Sequence, residues 1–163
     1  MKTLIIGLGN PILGDDGVGW KVAQQVERQL PSPPTPLPQG EITVECLSLA
    51  GISLMEHMIG YERVILIDSL NTGRYPQGEV VTFRLDALED LTYGHSASAH
   101  DLSLKRALEL GRRMGASLPQ DEEIQVVAIE AAHVYDFTEE LTPPVAAAVP
   151  RAVAAVFEAL GAP

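Results

Sequence analysis

The chain has 163 residues, of which 46% are hydrophobic, and this length and composition suit one globular domain that folds without a disulfide or a structural metal. Its formal net charge of −11 argues against a nucleic-acid partner, because binding to a phosphate backbone requires clustered lysines and arginines. The single cysteine excludes an intrachain disulfide, and the lack of a signal peptide or of an apolar run near about 20 residues argues against a membrane protein and predicts a cytoplasmic one.

The first half of the chain alternates strand and helix patterns. We predict, in chain order, a strand at 2–9, a helix at 17–30, a strand at 41–48 and a short helix at 53–59. The first strand is a continuous apolar run, which is typical of a strand buried on both faces of a sheet. Ser53 and Glu56 stand at capping-box spacing near the start of the short helix. The segment 31–40 contains five prolines, which remove hydrogen-bond donors, and it is predicted to be a surface loop.

The second half begins with two consecutive strands. We predict strands at 63–70 and 78–85, a helix at 100–114, a strand at 123–131 and a final helix from Thr142 to about 160. The connection between the first two strands is too short for a helical crossover, so the second is predicted to be antiparallel. Ser98 and Asp101 can cap the helix at 100–114, and Pro150 is expected to bend the last helix.

This order of elements predicts the fold class. Strands that alternate with helices indicate a three-layer α/β fold with a mostly parallel, twisted sheet and helices on both faces. We expect about five strands, one of them antiparallel, in a single domain that spans residues 1–163. In such a sheet the functional crevice lies outside the carboxyl ends of the strands.

Candidate metal ligands gather at that edge of the predicted sheet. The segment "GLGNPILGDDGVG" follows the first strand and carries Asp15 and Asp16. Asp68 lies at the end of the strand at 63–70, and His100 lies in the first turn of the following helix. Two carboxylates and one imidazole from three elements predict a divalent-metal site with open positions for water or substrate.

Each of these residues also has a structural alternative. Asp15 or Asp16 could cap the helix that follows, and Asp68 could form the turn after its strand. His95 competes with His100 because it lies five residues earlier, in a segment rich in Gly and Ser. The remaining candidates are expected to have structural, turn or solvated roles: His57, His133, Cys46 and Ser69.

The glycine pattern does not predict a nucleotide site. Gly7 and Gly9 form only a Gly-x-Gly pair, and the third glycine of a pyrophosphate fingerprint is missing. Asp15 and Asp16 would repel a pyrophosphate at this position, so nucleotide binding is disfavoured.

The same segment resembles the N-terminal signature of the hydrogenase maturation proteases, which are nickel-dependent endopeptidases. Asp16 matches the Asp or Glu position of that signature, Asp68 matches the aspartate in "VILIDSL", and His100 matches the histidine in "SAHDLSL". The segment "AIEAAHVYDFTEELTPPVAAAVP" is similar to the closing strand, loop and helix entry of the family. The chain departs from the family pattern at "SLAGISL" (48–54) and in the Pro-rich loop at 31–40, which resembles an insertion.

The resemblance implies an activity and a partner. It implies an endopeptidase that removes the C-terminal extension from the nickel-loaded precursor of a nickel-iron hydrogenase large subunit. It further implies that Asp16, Asp68 and His100 are the catalytic residues and the nickel ligands, that the precursor supplies the nickel, and that Asp15 is a loop or cap residue.

Two alternatives remain open at this point. Peptidyl-tRNA hydrolases also open with "GLGNP", but this chain lacks their Thr-Arg-His-Asn motif, and its charge of −11 suits a tRNA substrate poorly. A non-catalytic nickel-binding chaperone could use the same three residues only to test whether the precursor is loaded, and only an assay separates it from a protease.

Overall fold

The computed structural model describes residues 1–32, 37, 40–87 and 99–161, and gives side chains for these residues except 99–103. Five strands and four helices lie within these ranges. The strands are β1 (Lys2–Leu8), β2 (Glu41–Leu47), β3 (Arg63–Leu70), β4 (Val80–Arg84) and β5 (Ile124–Glu130). The helices are α1 (Val18–Gln29), α2 (Gly51–Met58), α3 (Ala99–Arg113) and α4 (Pro143–Ala159). None of these helices is long and apolar enough to cross a membrane.

The strands form one sheet in the order β2-β1-β3-β5-β4. β1, β2, β3 and β5 are parallel, and β4 runs antiparallel to β5. The predicted fold class, with one antiparallel strand in a mostly parallel sheet, is confirmed. β2 lies on one side of β1, and β3 lies on the other side. The direction in which successive strands are added to the sheet therefore reverses between β1 and β3. In sheets of this kind the ligand crevice lies at the carboxyl ends of the strands that flank such a switch point.

Two hydrophobic cores lie on opposite faces of the sheet. Ile5 and Ile65 face α1 and α4, and they pack in a buried cluster with side chains such as Val22 and Val156. Leu4 and Leu66 belong to the opposite cluster, together with buried side chains from α2 and α3. Neighbouring residues of a strand point to opposite faces, so a continuous apolar run fills both cores.

Two predicted helix caps are wrong. α2 begins at Gly51 with Ala50 at the N-cap position and no side-chain cap, so Ser53 lies inside the helix. Gly17 occupies the N-cap position of α1, again without a side-chain hydrogen bond. Neither Asp15 nor Asp16 therefore caps α1. Their carboxylates accept hydrogen bonds from Thr142 and Asn10 instead.

Other predictions about element ends have mixed outcomes. α4 begins at Pro143 after Thr142 and contains Pro150, as the sequence predicts. Proline suits this first position because its missing N–H would have no partner inside the helix. Ser98 lies outside the described residues, as does most of the Pro-rich loop at 31–40, so predictions on these residues are not tested.

Candidate active site

The candidate site lies at the switch point of the sheet. β1 and β3 are parallel neighbours, with Gly7 paired to Ile67, so their carboxyl ends meet at one edge. The chain leaves β1 through residues 9–13 and a short 3-10 turn, Gly14–Gly17, before it enters α1. Asp16 lies on that turn, and Asp68 lies near the end of β3. The topology therefore brings both predicted carboxylates to the crevice.

Glycines in the opening motif allow backbone segments to approach closely. Gly9 has a φ of +130°, and a Cβ atom at this position would overlap the carbonyl oxygen of Asp16. A Cβ atom at Gly19 would overlap the carbonyl oxygens of Leu8 and Ile67, which lie on β1 and β3. These glycines bring the start of α1 against the ends of the two strands. Their role is backbone packing, which explains the motif without a bound phosphate.

Asp16 is half-buried and both of its carboxylate oxygens accept hydrogen bonds. Oδ2 accepts the backbone N–H of Asn10 at 2.8 Å, and Oδ1 accepts the hydroxyl of Ser69 at 3.1 Å. The first bond closes the loop that leaves β1, and the second reaches across to β3. The direction of this carboxylate is therefore held from two elements.

Asp68 is connected to Asp16 through the same serine. Its Oδ1 accepts the backbone N–H of Ser69 at 2.8 Å, while the hydroxyl of Ser69 donates to Asp16. Ser69 is a residue of β3 and does not form the turn that the sequence suggested. One residue thus contacts both candidate carboxylates.

The structure tests the third predicted ligand only at the level of the backbone. His100 is the second residue of α3, as expected, but its side chain is outside the described set. His95 lies outside the described residues altogether. Among the side chains that are described, no group of three His, Cys, Asp or Glu is arranged to hold a metal ion. The triad of Asp16, Asp68 and His100 therefore stays a prediction.

Asp15 has a different environment from its neighbour. Its side chain is fully buried, and its carboxylate accepts two hydrogen bonds from Thr142: the backbone N–H at 2.8 Å and the hydroxyl at 2.7 Å. Its own N–H donates to the carbonyl oxygen of His133 at 2.9 Å. Thr142 is the N-cap residue of α4, so Asp15 fastens the start of the last helix to the loop after β1.

Glu130 is a buried carboxylate that the sequence analysis did not single out. Only 2% of it is exposed, and it ends β5 beside Leu70 of β3. It accepts hydrogen bonds from the N–H and the hydroxyl of Thr72 and from the N–H of Tyr75. Its signal in the sequence was an acidic residue at the end of an apolar strand, the same signal that identified Asp68. Glu130 orders the loop that leaves β3.

His57, His133 and Cys46 have contacts that do not involve Asp16 or Asp68. His57 pairs with Glu45 at 2.8 Å, and His133 pairs with Asp136 at 3.0 Å. Cys46 packs at the margin of one core, and burial, followed by the charge of Glu27, raises the pKa of its thiol. A raised pKa keeps the thiol protonated at neutral pH, and a protonated thiol is a poor nucleophile.

Fold and site together define a class of protein. It is a three-layer α/β protein whose mostly parallel sheet holds two carboxylates at its switch point. The family model for hydrogenase maturation proteases matches residues 48–159, which is more than half of the chain. The chain therefore belongs to the hydrogenase maturation protease family. The matched residues include Asp68 and His100 and begin after Asp16.

Individual relatives agree with this family. The hydrogenase expression/formation protein HupD of Bradyrhizobium diazoefficiens is 21% identical over 144 residues, which cover 88% of this chain and 70% of HupD. The maturating endopeptidase HybD of E. coli superposes with a TM-score of 0.76 at 24% identity, covering 99% of this chain and 93% of HybD. The [NiFe] hydrogenase maturation protease HybD of Thermococcus kodakarensis gives 0.71 at 26% identity, covering 97% and 98%.

Proposed function

We propose that this chain is an endopeptidase that removes the C-terminal extension from the nickel-loaded precursor of a nickel-iron hydrogenase large subunit. Membership of the maturation protease family supports the reaction class. The observation that carries the proposal is the pair of carboxylates, Asp16 and Asp68, that converge on Ser69 at the switch point. Residues 1–163 are proposed to act as a single domain.

The proposed role of the site is to bind the nickel that arrives with the precursor. Asp16 and Asp68 supply carboxylate oxygens, and His100 at the start of α3 supplies an imidazole nitrogen. Three protein ligands leave coordination positions open, so the nickel can keep its contacts with the precursor. Nickel is thus part of the substrate, and it serves to recognise a loaded precursor.

Chemistry at the site follows from this arrangement. A divalent ion that is bound next to a peptide bond can position the scissile carbonyl or a water molecule and polarise it. The family resemblance implies no serine or cysteine nucleophile, and the Cys46 thiol, which is partly buried with a raised pKa, is not suited to attack a peptide bond. Hydrolysis without a covalent intermediate is the reaction that these groups support.

The direct test is a cleavage assay with two forms of one precursor. The protein is incubated with nickel-loaded and with nickel-free precursor, and the mass of each product is measured. We expect loss of the C-terminal extension from the loaded form alone. Binding of the loaded form without a change in mass would identify a non-catalytic chaperone instead. Equal cleavage of both forms would contradict recognition through nickel.

A crystal structure of the protein would test the ligand set. We expect the side chains of Asp16, Asp68 and His100 to point into one coordination sphere at the carboxyl edge of the sheet. If the imidazole of His100 points away from the two carboxylates, the proposed triad is wrong, and His95 becomes the candidate to examine next.

A further inference from the structure

We propose that Ser69 is a positioning residue, whose hydroxyl holds the Asp16 carboxylate in register with Asp68. This inference rests on the proposed function, because it concerns the same two carboxylates. Ser69 itself is not expected to contact nickel or the scissile bond. It acts on the reaction by fixing the direction of a ligand.

The need for such a residue follows from where Asp16 lies. Asp68 is carried by β3, in the middle of the sheet, but Asp16 is carried by the 3-10 turn Gly14–Gly17. The terminal torsion of an aspartate side chain is broad, so the turn alone does not fix the plane of the carboxylate. The N–H of Asn10 holds Oδ2, and the hydroxyl of Ser69 holds Oδ1. Without the second bond, the carboxylate keeps a single donor and can rotate about it.

Ser69 donates a hydrogen bond to each of the two carboxylates. Its N–H points to Asp68 Oδ1 at 2.8 Å, and its hydroxyl points to Asp16 Oδ1 at 3.1 Å. Hydrogen bonds to an ionised carboxylate are stronger than those between neutral groups. Ser69 thus stabilises both carboxylates, Asp68 through its backbone and Asp16 through its side chain.

Replacing Ser69 with alanine removes only the hydrogen bond to Asp16. Ser69→Ala deletes the hydroxyl that donates to Asp16 but keeps the backbone N–H that donates to Asp68. Ser69→Thr restores a hydroxyl, and threonine is favoured in strands. Ser48→Ala is the matched control: its hydroxyl donates to the carbonyl oxygen of Gly9 at 2.6 Å, in the same loop, without touching a carboxylate.

The kinetic test compares these three variants with the wild-type chain on nickel-loaded precursor. Groups that orient metal ligands typically contribute about 10–100-fold to metal affinity or activity. We expect Ser69→Ala to lower kcat/KM by about 10-fold or more, mainly through a higher KM. Ser69→Thr should recover most of the loss, and Ser48→Ala should stay near wild type. An unchanged Ser69→Ala, or an equal loss in Ser48→Ala, would overturn the inference.

A second measurement does not depend on cleavage. If Ser69 and Asp16 interact, Ser69→Ala should lower the unfolding midpoint in the wild-type background and have no further effect in an Asp16→Ala background. Equal shifts in both backgrounds would show that no such interaction exists and would overturn the inference. If the wild-type protein fails to cleave loaded precursor, the proposed function fails and this inference falls with it. If wild type and Ser48→Ala both cleave while Ser69→Ala is unchanged, only the inference fails.

Discussion

At the scale of single residues, two neighbouring aspartates have separate tasks. Asp15 is fully buried and holds the backbone and hydroxyl of Thr142, 127 residues further along the chain. Asp16 is half-buried and is held at the crevice by Asn10 and Ser69. Adjacent side chains on a tight turn point in different directions, so Asp15 contacts the start of α4 while Asp16 contacts β3.

This difference predicts opposite effects of the same substitution. Asp15→Asn replaces one acceptor oxygen of a fully buried carboxylate with an NH₂ group and leaves one donor of Thr142 without its partner, so it should lower the free energy of unfolding by about 2 kcal/mol. Asp16→Asn should cost less than about 1 kcal/mol, because the amide oxygen can keep one of the bonds, yet it should abolish cleavage of nickel-loaded precursor.

Urea unfolding and a cleavage assay on the same two variants check both expectations. Asp16→Glu is the control that keeps the charge, and we expect it to retain part of the activity because the resembling signature accepts either acid. Full activity of Asp16→Asn would contradict its role as a ligand. A fully stable Asp15→Asn would contradict the role of Asp15 as an anchor for α4.

At the scale of elements, the turn after β1 depends on the close approach of two backbone segments. Gly9 and Gly60 both have positive φ, at +130° and +89°. A Cβ atom at Gly9 would overlap the carbonyl oxygen of Asp16, whereas nothing lies within 4 Å of one at Gly60. Comparing the two positions therefore separates the cost of the contact from the cost of the backbone conformation.

We expect Gly9→Ala to be the more destabilising of the two substitutions. Gly60→Ala should lower the free energy of unfolding by about 1–2 kcal/mol through its φ alone, and Gly9→Ala should add about 1–3 kcal/mol through overpacking. Chemical denaturation of both variants provides the measurement. Equal losses would mean that the loop relaxes away from Asp16 without cost.

The loop after β3 depends on hydrogen bonds to Glu130. Its carboxylate accepts hydrogen bonds from Thr72 and Tyr75, and Arg74 lies exposed between them. Glu130→Ala should therefore release the loop and speed up tryptic cleavage after Arg74, which mass spectrometry of the fragments would detect. Glu122→Ala, at an exposed position before β5, is the control and should cleave at the wild-type rate. An unchanged rate in Glu130→Ala would show that other contacts order this loop.

At the scale of the whole molecule, two hydrophobic cores enclose the sheet and account for its stability. Each face of the sheet is covered by two helices, and the central strands β1 and β3 contribute fully buried side chains to both cores. A domain of this size buries enough apolar surface to fold without a metal.

Removal of metal ions should accordingly leave the fold unchanged. We expect a chelator to shift the thermal midpoint by less than about 2 °C. In a domain of this size, such a shift corresponds to a change of about 1 kcal/mol or less in the free energy of unfolding. Calorimetry with and without chelator checks this. A fall of many degrees would indicate a structural metal, which is not the role proposed for nickel.

The sequence determined the elements of this protein and their layering. Apolar runs and helical periodicity report which faces are buried, and this information is local, so the strands, the helices and the antiparallel β4 could be predicted. The sequence also predicted that Asp16 and Asp68 lie at the same edge of the sheet, because the carboxyl ends of parallel strands meet there. The family followed from short motifs that the sequence shows directly.

Only the tertiary structure decided which polar groups pair. Ser69 reaches Asp16 over 53 residues, Thr72 reaches Glu130 over 58, and Thr142 reaches Asp15 over 127. Periodicity says nothing about such pairs, because a hydrogen bond depends on the order of the strands and on how loops cross the edge of the sheet. The expected capping box at Ser53 was also wrong, because α2 begins two residues earlier, at Gly51, and Ser53 lies inside the helix.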